Sequence, residues 1–121
     1  MRGVIGTKLG MTQLFDEDGN LIPVTVVQVA KNHVLQVKTE AGKDGYNAVK
    51  LATGESSGKN LTRPEMGVFK AAGVAPQKQI FEFRLSAAEV AAFKQGESID
   101  GSILVEGAKV DVKSVSKGKG F

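Results

Sequence analysis

One polar loop has the composition of a phosphate-binding loop. The segment is Gly54-Glu55-Ser56-Ser57-Gly58-Lys59-Asn60, and it follows a strand-like run. Glycine-rich loops that cradle nucleotide phosphates need four residues between the two glycines and a hydroxyl side chain after the lysine to hold magnesium. Here three residues separate the glycines, and Asn60 follows Lys59. We therefore interpret the segment as a solvated loop and expect no nucleotide hydrolysis.

An acidic turn shows part of a calcium-binding pattern. Asp16, Asp18 and Asn20 have the spacing of the first three ligands of a calcium loop. However, Leu21 stands where that loop needs glycine, and the distal bidentate glutamate is missing. A plain hairpin turn fits these residues better than a calcium site.

The sequence offers little else for catalysis. It has no cysteine, which excludes disulfides, thiol nucleophiles and cysteine-ligated metals. Its single histidine, His33, has no second histidine or cysteine with which to share a metal, and the sequence shows no partner that would activate it. We therefore predict that the protein is not an enzyme, with no catalytic residue, no metal site and no cofactor.

The excess positive charge is concentrated in one terminal segment. The chain has 16 Lys and Arg residues against 13 Asp and Glu residues, a net charge of +3. Residues 109–121 contain four lysines and one aspartate, so they carry the whole excess. Lysines for phosphates, hydroxyls for ribose, glycines and a final phenylalanine are typical of a segment that binds RNA. A solvated tail would have the same charge, and both readings stay open at this point.

The predicted RNA contacts lie in three parts of the chain. We expect recognition of phosphate backbone and shape, because most of the seven aromatic residues occupy core-like positions. The predicted rRNA-binding residues are Arg2, Lys8 and Thr12 on a glycine-interrupted first strand, Lys59 and Arg63 around the polar loop, and Lys113, Ser116, Lys117 and Lys119 in the terminal segment.

The elements that must position these residues are mainly β-strands. Extended patterns at Val4–Phe15 and Leu21–Val29 flank the acidic turn and predict one hairpin, and patterns at 33–39 and 46–53 predict a second. Residues 80–85 alternate cleanly, as in a half-buried strand. Two more extended pieces are expected at Ser102–Val105 and Lys109–Val115. The expected core comprises Val24, Val26, Phe81, Phe83, Leu85, Val110 and Val112.

Two short helices are predicted between the strands. Pro64 and Gly73 occupy the positions at which a helix typically begins and ends. Ser86 and Glu89 have the spacing of a capping box, and Gly96 ends the second helical pattern.

Length and composition indicate one soluble domain. With 121 residues, of which 41% are apolar and 24% charged, the chain can bury a core. No apolar run approaches the ~20 residues of a membrane span and no signal segment is visible, so we expect a cytoplasmic protein without a membrane partner. We assign residues 1–112 to a β-barrel domain with an inserted loop and helices at about 54–79, and residues 113–121 to the basic terminal segment.

The order of several blocks resembles bacterial large-subunit ribosomal protein three. The first block runs from Gly3 to Asp16 and is followed by Ile22-Pro23-Val24-Thr25-Val26. The last is Ser116-Lys117-Gly118-Lys119-Gly120-Phe121. Between them, the matching blocks are residues 34–38, 44–46, 63–65, 72–74 and 83–84, together with Gly67 and Phe69. The resemblance covers the full length of the chain.

This resemblance implies a fold and a function. The fold would be a six-stranded barrel of the translation-protein type, incomplete or minimal here, with two short inserted helices. The protein would bind 23S rRNA near its 3′ end, help nucleate subunit assembly and neighbour other large-subunit proteins. In the family, the block that begins at Ser116 opens a long basic loop, and this chain ends at Phe121. Val68 replaces a histidine that many relatives carry, so no contact of that histidine is expected here.

A different class of function remains open. A barrel without its closing strands would leave an apolar edge with unpaired backbone groups. We therefore also consider a β-barrel fragment that self-associates, as a homodimer through the open edge, without useful RNA binding.

Overall fold

A computed structural model describes residues 3–121 of the chain. In that range the protein forms six strands and two α-helices, which confirms the mainly β class. The strands are β1 (Thr7–Phe15), β2 (Leu21–Gln28), β3 (Asn32–Lys38), β4 (Ala48–Glu55), β5 (Gln77–Arg84) and β6 (Ser98–Ile99). The helices are α1 (Arg63–Ala72) and α2 (Ala87–Val90).

The strands form two antiparallel sheets. The first consists of β1 and β2, and the second has the order β5-β4-β3-β6. Both predicted hairpins are therefore confirmed. Within residues 3–121 the two sheets do not close into a barrel, which agrees with the incomplete barrel that the resemblance implies. β6 was not predicted, because two residues are too few to show a periodic pattern.

Local signals set both ends of α1 and the start of α2 as predicted, whereas α2 ends at Val90 and not at the predicted Gly96. Thr62 precedes α1, and its backbone N–H donates to Glu65 Oε2 at 3.0 Å. Gly73 ends the helix with a φ of 70°, in the left-handed region that favours glycine. At α2, the backbone N–H of Glu89 donates to Ser86 Oγ at 3.4 Å, and that of Ser86 donates to Glu89 Oε2 at 3.0 Å. This is the capping box that the sequence predicts.

The second sheet contributes buried side chains to both of its faces. Val34, Val49 and Leu51 form a cluster with Val90 of α2 on one face. Leu35 and Ala52 pack against α1 on the other face, where the helix contributes Phe69 and Ala72. The core of the protein is therefore the second sheet with one helix on each side.

The core prediction is partly wrong. Phe83 and Leu85 do pack against the cluster that contains Val49, and Val24 is half-buried. However, four of the predicted core side chains are exposed: Phe81 (55%), Val26 (42%), Val110 (61%) and Val112 (79%). Val26 belongs to the first sheet, which contributes no residue to either buried cluster of the described range. Val110 and Val112 belong to a segment that pairs with no strand in that range.

The two extended pieces expected near the end of the chain are also absent from the sheets. Residues Gly101–Ile103 form one turn of 3₁₀ helix, because Asp100 Oδ1 accepts a hydrogen bond from the backbone N–H of Ser102 at 3.0 Å. Residues 109–115 are irregular and exposed. Their alternating pattern is real, but no strand lies beside them in the described part of the chain. Among residues 3–121, no helix has the length and hydropathy needed to span a bilayer.

Candidate nucleic-acid interface

The first group of predicted RNA contacts lies on the β1–β2 hairpin. Arg2 falls outside the described residues. Lys8 pairs with Val27 and Thr12 pairs with Val24, with an extra residue, Leu9, inserted between Lys8 and Gly10. Cross-strand partners share a face and side chains alternate along a strand, so Lys8 and Thr12 point to opposite faces of the hairpin. Their spacing of four residues would otherwise place them on the same face.

The second group lies where the polar loop enters α1. The backbone N–H of Leu61 donates to the carbonyl of Gly58 at 3.2 Å, which makes a tight turn with Lys59 inside it. Arg63 is the first residue of the helix, and both side chains are exposed. The structure therefore brings Lys59 and Arg63 to one short turn.

The third group lies in the basic terminal segment, which is exposed along its whole length. It contains the predicted residues Lys113, Ser116, Lys117 and Lys119. Ser116 Oγ accepts a hydrogen bond from the backbone N–H of Gly118 at 3.3 Å. Lys119, with a φ of 66°, is the one non-glycine residue with positive φ in the described range. The segment is thus a bent chain with its lysines open to solvent.

The predicted cations from Lys8 onward have no ion pair with another described residue. Every ion pair between described residues involves Lys38, so none of the lysines and arginines predicted as RNA contacts in that range has a carboxylate partner. Unpaired, exposed cations are the groups that neutralise phosphates most readily, since no ion pair has to be broken first. The arrangement can bind a polyanion at three separate elements.

Sequence reasoning missed a fourth group on the second sheet. Lys38 Nζ donates to Tyr46 Oη at 2.9 Å and to Glu82 Oε2 at 3.2 Å, and it lies 3.9 Å from Asp44 Oδ1. The guanidinium carbon of Arg84 lies 4.2 Å from the centre of the Tyr46 ring. These five residues come from β3, the loop before β4, and β5. The sequence gives no local signal for a cluster whose members are up to 46 positions apart.

Hydrogen bonding perturbs the charged groups of this cluster. The bonds to Tyr46 and then to Glu82 raise the pKa of Lys38 above its ordinary value. Hydrogen bonds from Tyr46 and Lys38 lower the pKa of Glu82, and the nearby charge of Lys50 contributes. Both shifts favour the charged forms. Both members of the ion pair are therefore charged at neutral pH.

A small cavity separates the first hairpin from the second sheet. Its volume is about 260 Å³. Its walls come from the base of the hairpin (Ile5, Thr7 and Gln28) and from the ends of β4 and β5 (Gly54, Lys78 and Gln79). No group of three or more His, Cys, Asp or Glu side chains in the described range is placed to hold a metal ion.

Comparison with known proteins confirms the resemblance seen in the sequence. No protein-family model matches the chain. Large ribosomal subunit protein uL3 of Mycolicibacterium smegmatis is 47% identical over 99% of this chain and 55% of that protein. The uL3 proteins of Alkaliphilus metalliredigens and Rhodococcus opacus are 45% and 43% identical over the whole chain. The chain spans about half the length of these curated relatives, consistent with an amino-terminal part.

Proposed function

From the similarity to large ribosomal subunit protein uL3, we propose that this chain is a non-enzymatic structural component of the large ribosomal subunit. In this role it binds 23S rRNA near the 3′ end, helps to nucleate subunit assembly and contacts neighbouring large-subunit proteins. Its location is the cytoplasmic ribosome. The similarity extends along nearly the whole chain and includes the basic block at its end.

The observation that carries this proposal is the set of unpaired cations on three elements. Lys8 on the hairpin, Lys59 and Arg63 at the turn before α1, and the lysines of residues 113–121 are exposed and have no carboxylate partner among described residues. In an RNA complex, each cation that meets a phosphate releases condensed counterions, and this release drives binding. The second sheet supplies the rigid support.

The test is filter binding to 23S rRNA over a series of salt concentrations. If about four phosphates are neutralised, log affinity falls with log salt with a slope of roughly −3 to −4. Binding to 16S rRNA of similar charge density serves as the control for general attraction to a polyanion. Equal affinity for both RNAs, or no binding to either, would contradict a specific role in the large subunit.

One observation favours the second candidate function, which is self-association. Eight large apolar side chains of the β1–β2 hairpin are between 42% and 75% exposed. They are Leu9, Met11, Leu14, Phe15, Leu21, Ile22, Val26 and Val27. The strand register divides them between the two faces of the hairpin. Large exposed apolar surfaces are typical of sites that a partner covers. A second copy could cover the hairpin in a two-fold dimer.

Sedimentation equilibrium distinguishes this second candidate. Across a hundredfold range of protein concentration, a dimer-forming chain shifts from 12.7 kDa toward twice that mass. Replacement of Leu14 and Ile22, which pair across the hairpin, by serine would weaken the dimer. A constant monomer mass excludes self-association and leaves RNA binding as the function.

A further inference from the structure

Arg84 is an exposed arginine whose guanidinium contacts an aromatic ring. It is the last residue of β5 and pairs with Ala48 of β4. Its guanidinium lies over the ring of Tyr46, and within the described residues it has no ion pair and no side-chain hydrogen bond. A guanidinium has five N–H donors at its edge. The contact with the ring leaves these donors without a hydrogen-bond partner among the described residues.

The tyrosine ring beneath Arg84 is itself fixed. Tyr46 Oη accepts the 2.9 Å hydrogen bond from Lys38 Nζ, and Lys38 in turn is bound to Glu82. Glu82 and Arg84 are two positions apart in β5, so their side chains share a face of the sheet. The Lys38–Glu82 ion pair therefore holds the Tyr46 ring, and the ring in turn contacts the guanidinium of Arg84.

The local charges leave an excess of one positive charge. Lys38 is neutralised by Glu82, with Asp44 nearby. Lys50 lies directly opposite Glu82 across β4 and β5, and it has no ion pair among described residues. Three cations, including Arg84, thus face two carboxylates. This net positive charge attracts an anion to the surface of the sheet.

The same side of the sheet also carries α1. Ala52, which packs against α1, and Ala48, which pairs with Arg84, are four positions apart in β4 and share a face. Arg63, the first residue of α1, is therefore on the same side of the second sheet as Arg84. α2 packs against the opposite face, in the cluster with Val49. The sheet has a cationic side and a side covered by α2.

We propose that Arg84 binds a phosphate of the RNA backbone through the free edge of its guanidinium, with Tyr46 as its positioning residue. This inference rests on the proposed RNA-binding function. The planar fork of arginine matches two phosphate oxygens, and lysine does not reproduce that geometry. Because the ring already restrains the side chain, less conformational entropy is lost on binding. Arg84 thereby adds a contact on the sheet, outside the loop, the hairpin and the terminal segment.

The experiment measures 23S rRNA affinity and its salt dependence for matched variants of the 121-residue chain. Arg84→Ala is expected to weaken binding roughly tenfold, as for the loss of a hydrogen bond to a charged group, and to reduce the salt slope by about 0.7 to 0.9. Arg84→Lys keeps the charge, so the slope should stay while affinity falls about threefold to tenfold. Lys94→Ala, in the segment that follows α2, is the control that removes the same charge outside the Tyr46 cluster.

Two changes at Tyr46 separate positioning from fold support. Tyr46→Leu removes the ring and should weaken RNA binding about threefold without changing the salt slope, because Arg84 keeps its charge. Tyr46→Phe keeps the ring and should restore affinity to within twofold of the wild type. Urea unfolding of each variant checks the fold. If Tyr46→Leu and Tyr46→Phe lose affinity equally, the ring does not position Arg84.

The outcomes distinguish this inference from the proposed function. Wild-type binding with an unchanged Arg84→Ala variant overturns the Arg84 contact and leaves the RNA-binding function standing. Equal losses in Arg84→Ala and Lys94→Ala show a general charge effect and also overturn it. Absence of wild-type binding to 23S rRNA overturns both. A loss of affinity and slope confined to Arg84→Ala supports the contact.

Discussion

The side chain of Asn32 pairs with both backbone groups of Ile5. Asn32 Oδ1 accepts from the Ile5 N–H at 2.8 Å, and Asn32 Nδ2 donates to the Ile5 carbonyl at 3.2 Å and to the Ala30 carbonyl at 2.9 Å. Asn32 is fully buried at the start of β3. This one amide therefore ties the segment before β1 to the second sheet, as a neighbouring strand would.

The first prediction concerns this tie. Asn32→Ala leaves the amide and carbonyl of Ile5 without their partner, and we expect it to lower the free energy of unfolding by about 2 kcal/mol, in line with the cost of unsatisfied backbone groups. Urea denaturation measures the change. Asn60→Ala, in the exposed loop before α1, is the matched control and should change stability by less than ~0.5 kcal/mol. Equal effects would show that the Asn32 bonds contribute nothing specific.

The second prediction compares two phenylalanines of β5. Phe83 packs against the core cluster, and a Cβ atom on Gly3 would overlap its ring, whereas Phe81 is 55% exposed. Phe83→Ala should cost about 2–3 kcal/mol, somewhat less than for a fully buried phenylalanine. Phe81→Ala should cost less than ~1 kcal/mol, although the two rings touch edge to face at 5.0 Å. Chemical denaturation that ranks the two variants the other way round would contradict the assigned faces.

The third prediction is a pH dependence of stability. The pKa of Glu82 is lowered in the folded protein from an ordinary value of 4.5. Its ion pair with Lys38 therefore stabilises the fold above pH 4.5, and this contribution is lost as the pH falls below that value and through the lowered folded pKa. Glu82→Gln should be less stable than the wild type at pH 7, and the difference should shrink steadily below pH 4.5.

Unfolding experiments between pH 3 and pH 7 check this expectation. Glu17→Gln, in the turn between β1 and β2, removes an exposed carboxylate that has no ion pair among described residues. If both variants respond to pH in the same way, the effect is one of net charge. The pKa of Lys38 is raised from 10.5, so its contribution should persist at neutral pH and disappear only above pH 10.5.

The fourth prediction tests the basic terminal segment. Lys117→Ala together with Lys119→Ala should weaken binding to 23S rRNA and reduce the salt slope by about 1.4 to 1.8, because two phosphate contacts are lost. The fold should be unaffected, since both side chains are exposed and unpaired among described residues. An unchanged slope would show that residues 113–121 are a solvated tail and not an RNA contact.

Local patterns were sufficient to predict the hairpins, α1 and the start of α2. Turn residues at 16–20, the capping box at Ser86 and the glycine after α1 act within a few positions of the elements that they define. Such short-range chemistry is readable from sequence alone. The core was harder, since burial of Val26 or Val112 depends on what packs against it and not on its own alternation.

In the candidate interface too, sequence reasoning found the groups formed by chain neighbours and missed the group formed by residues far apart in the chain. The sequence identified cations that lie in one segment, such as Lys59 and Arg63, because their neighbours in the chain are also their neighbours in space. It did not identify Arg84 as a contact, because its support comes from Tyr46 and Lys38 on other elements. Strand register decides that grouping, and register is a non-local property.

The bulge at Leu9 reverses which positions of β1 face each side of the hairpin. Before the bulge, odd-numbered residues such as Thr7 face one side of the hairpin. After it, even-numbered residues such as Thr12 face that same side, because one extra residue is inserted against β2. Deleting Leu9 is thus equivalent to turning over one part of the strand relative to the other: Lys8 would join the side that holds Thr12, and Thr7 would leave it. A change of length at this point acts on every residue on one side of it, which substitution of any single residue cannot do.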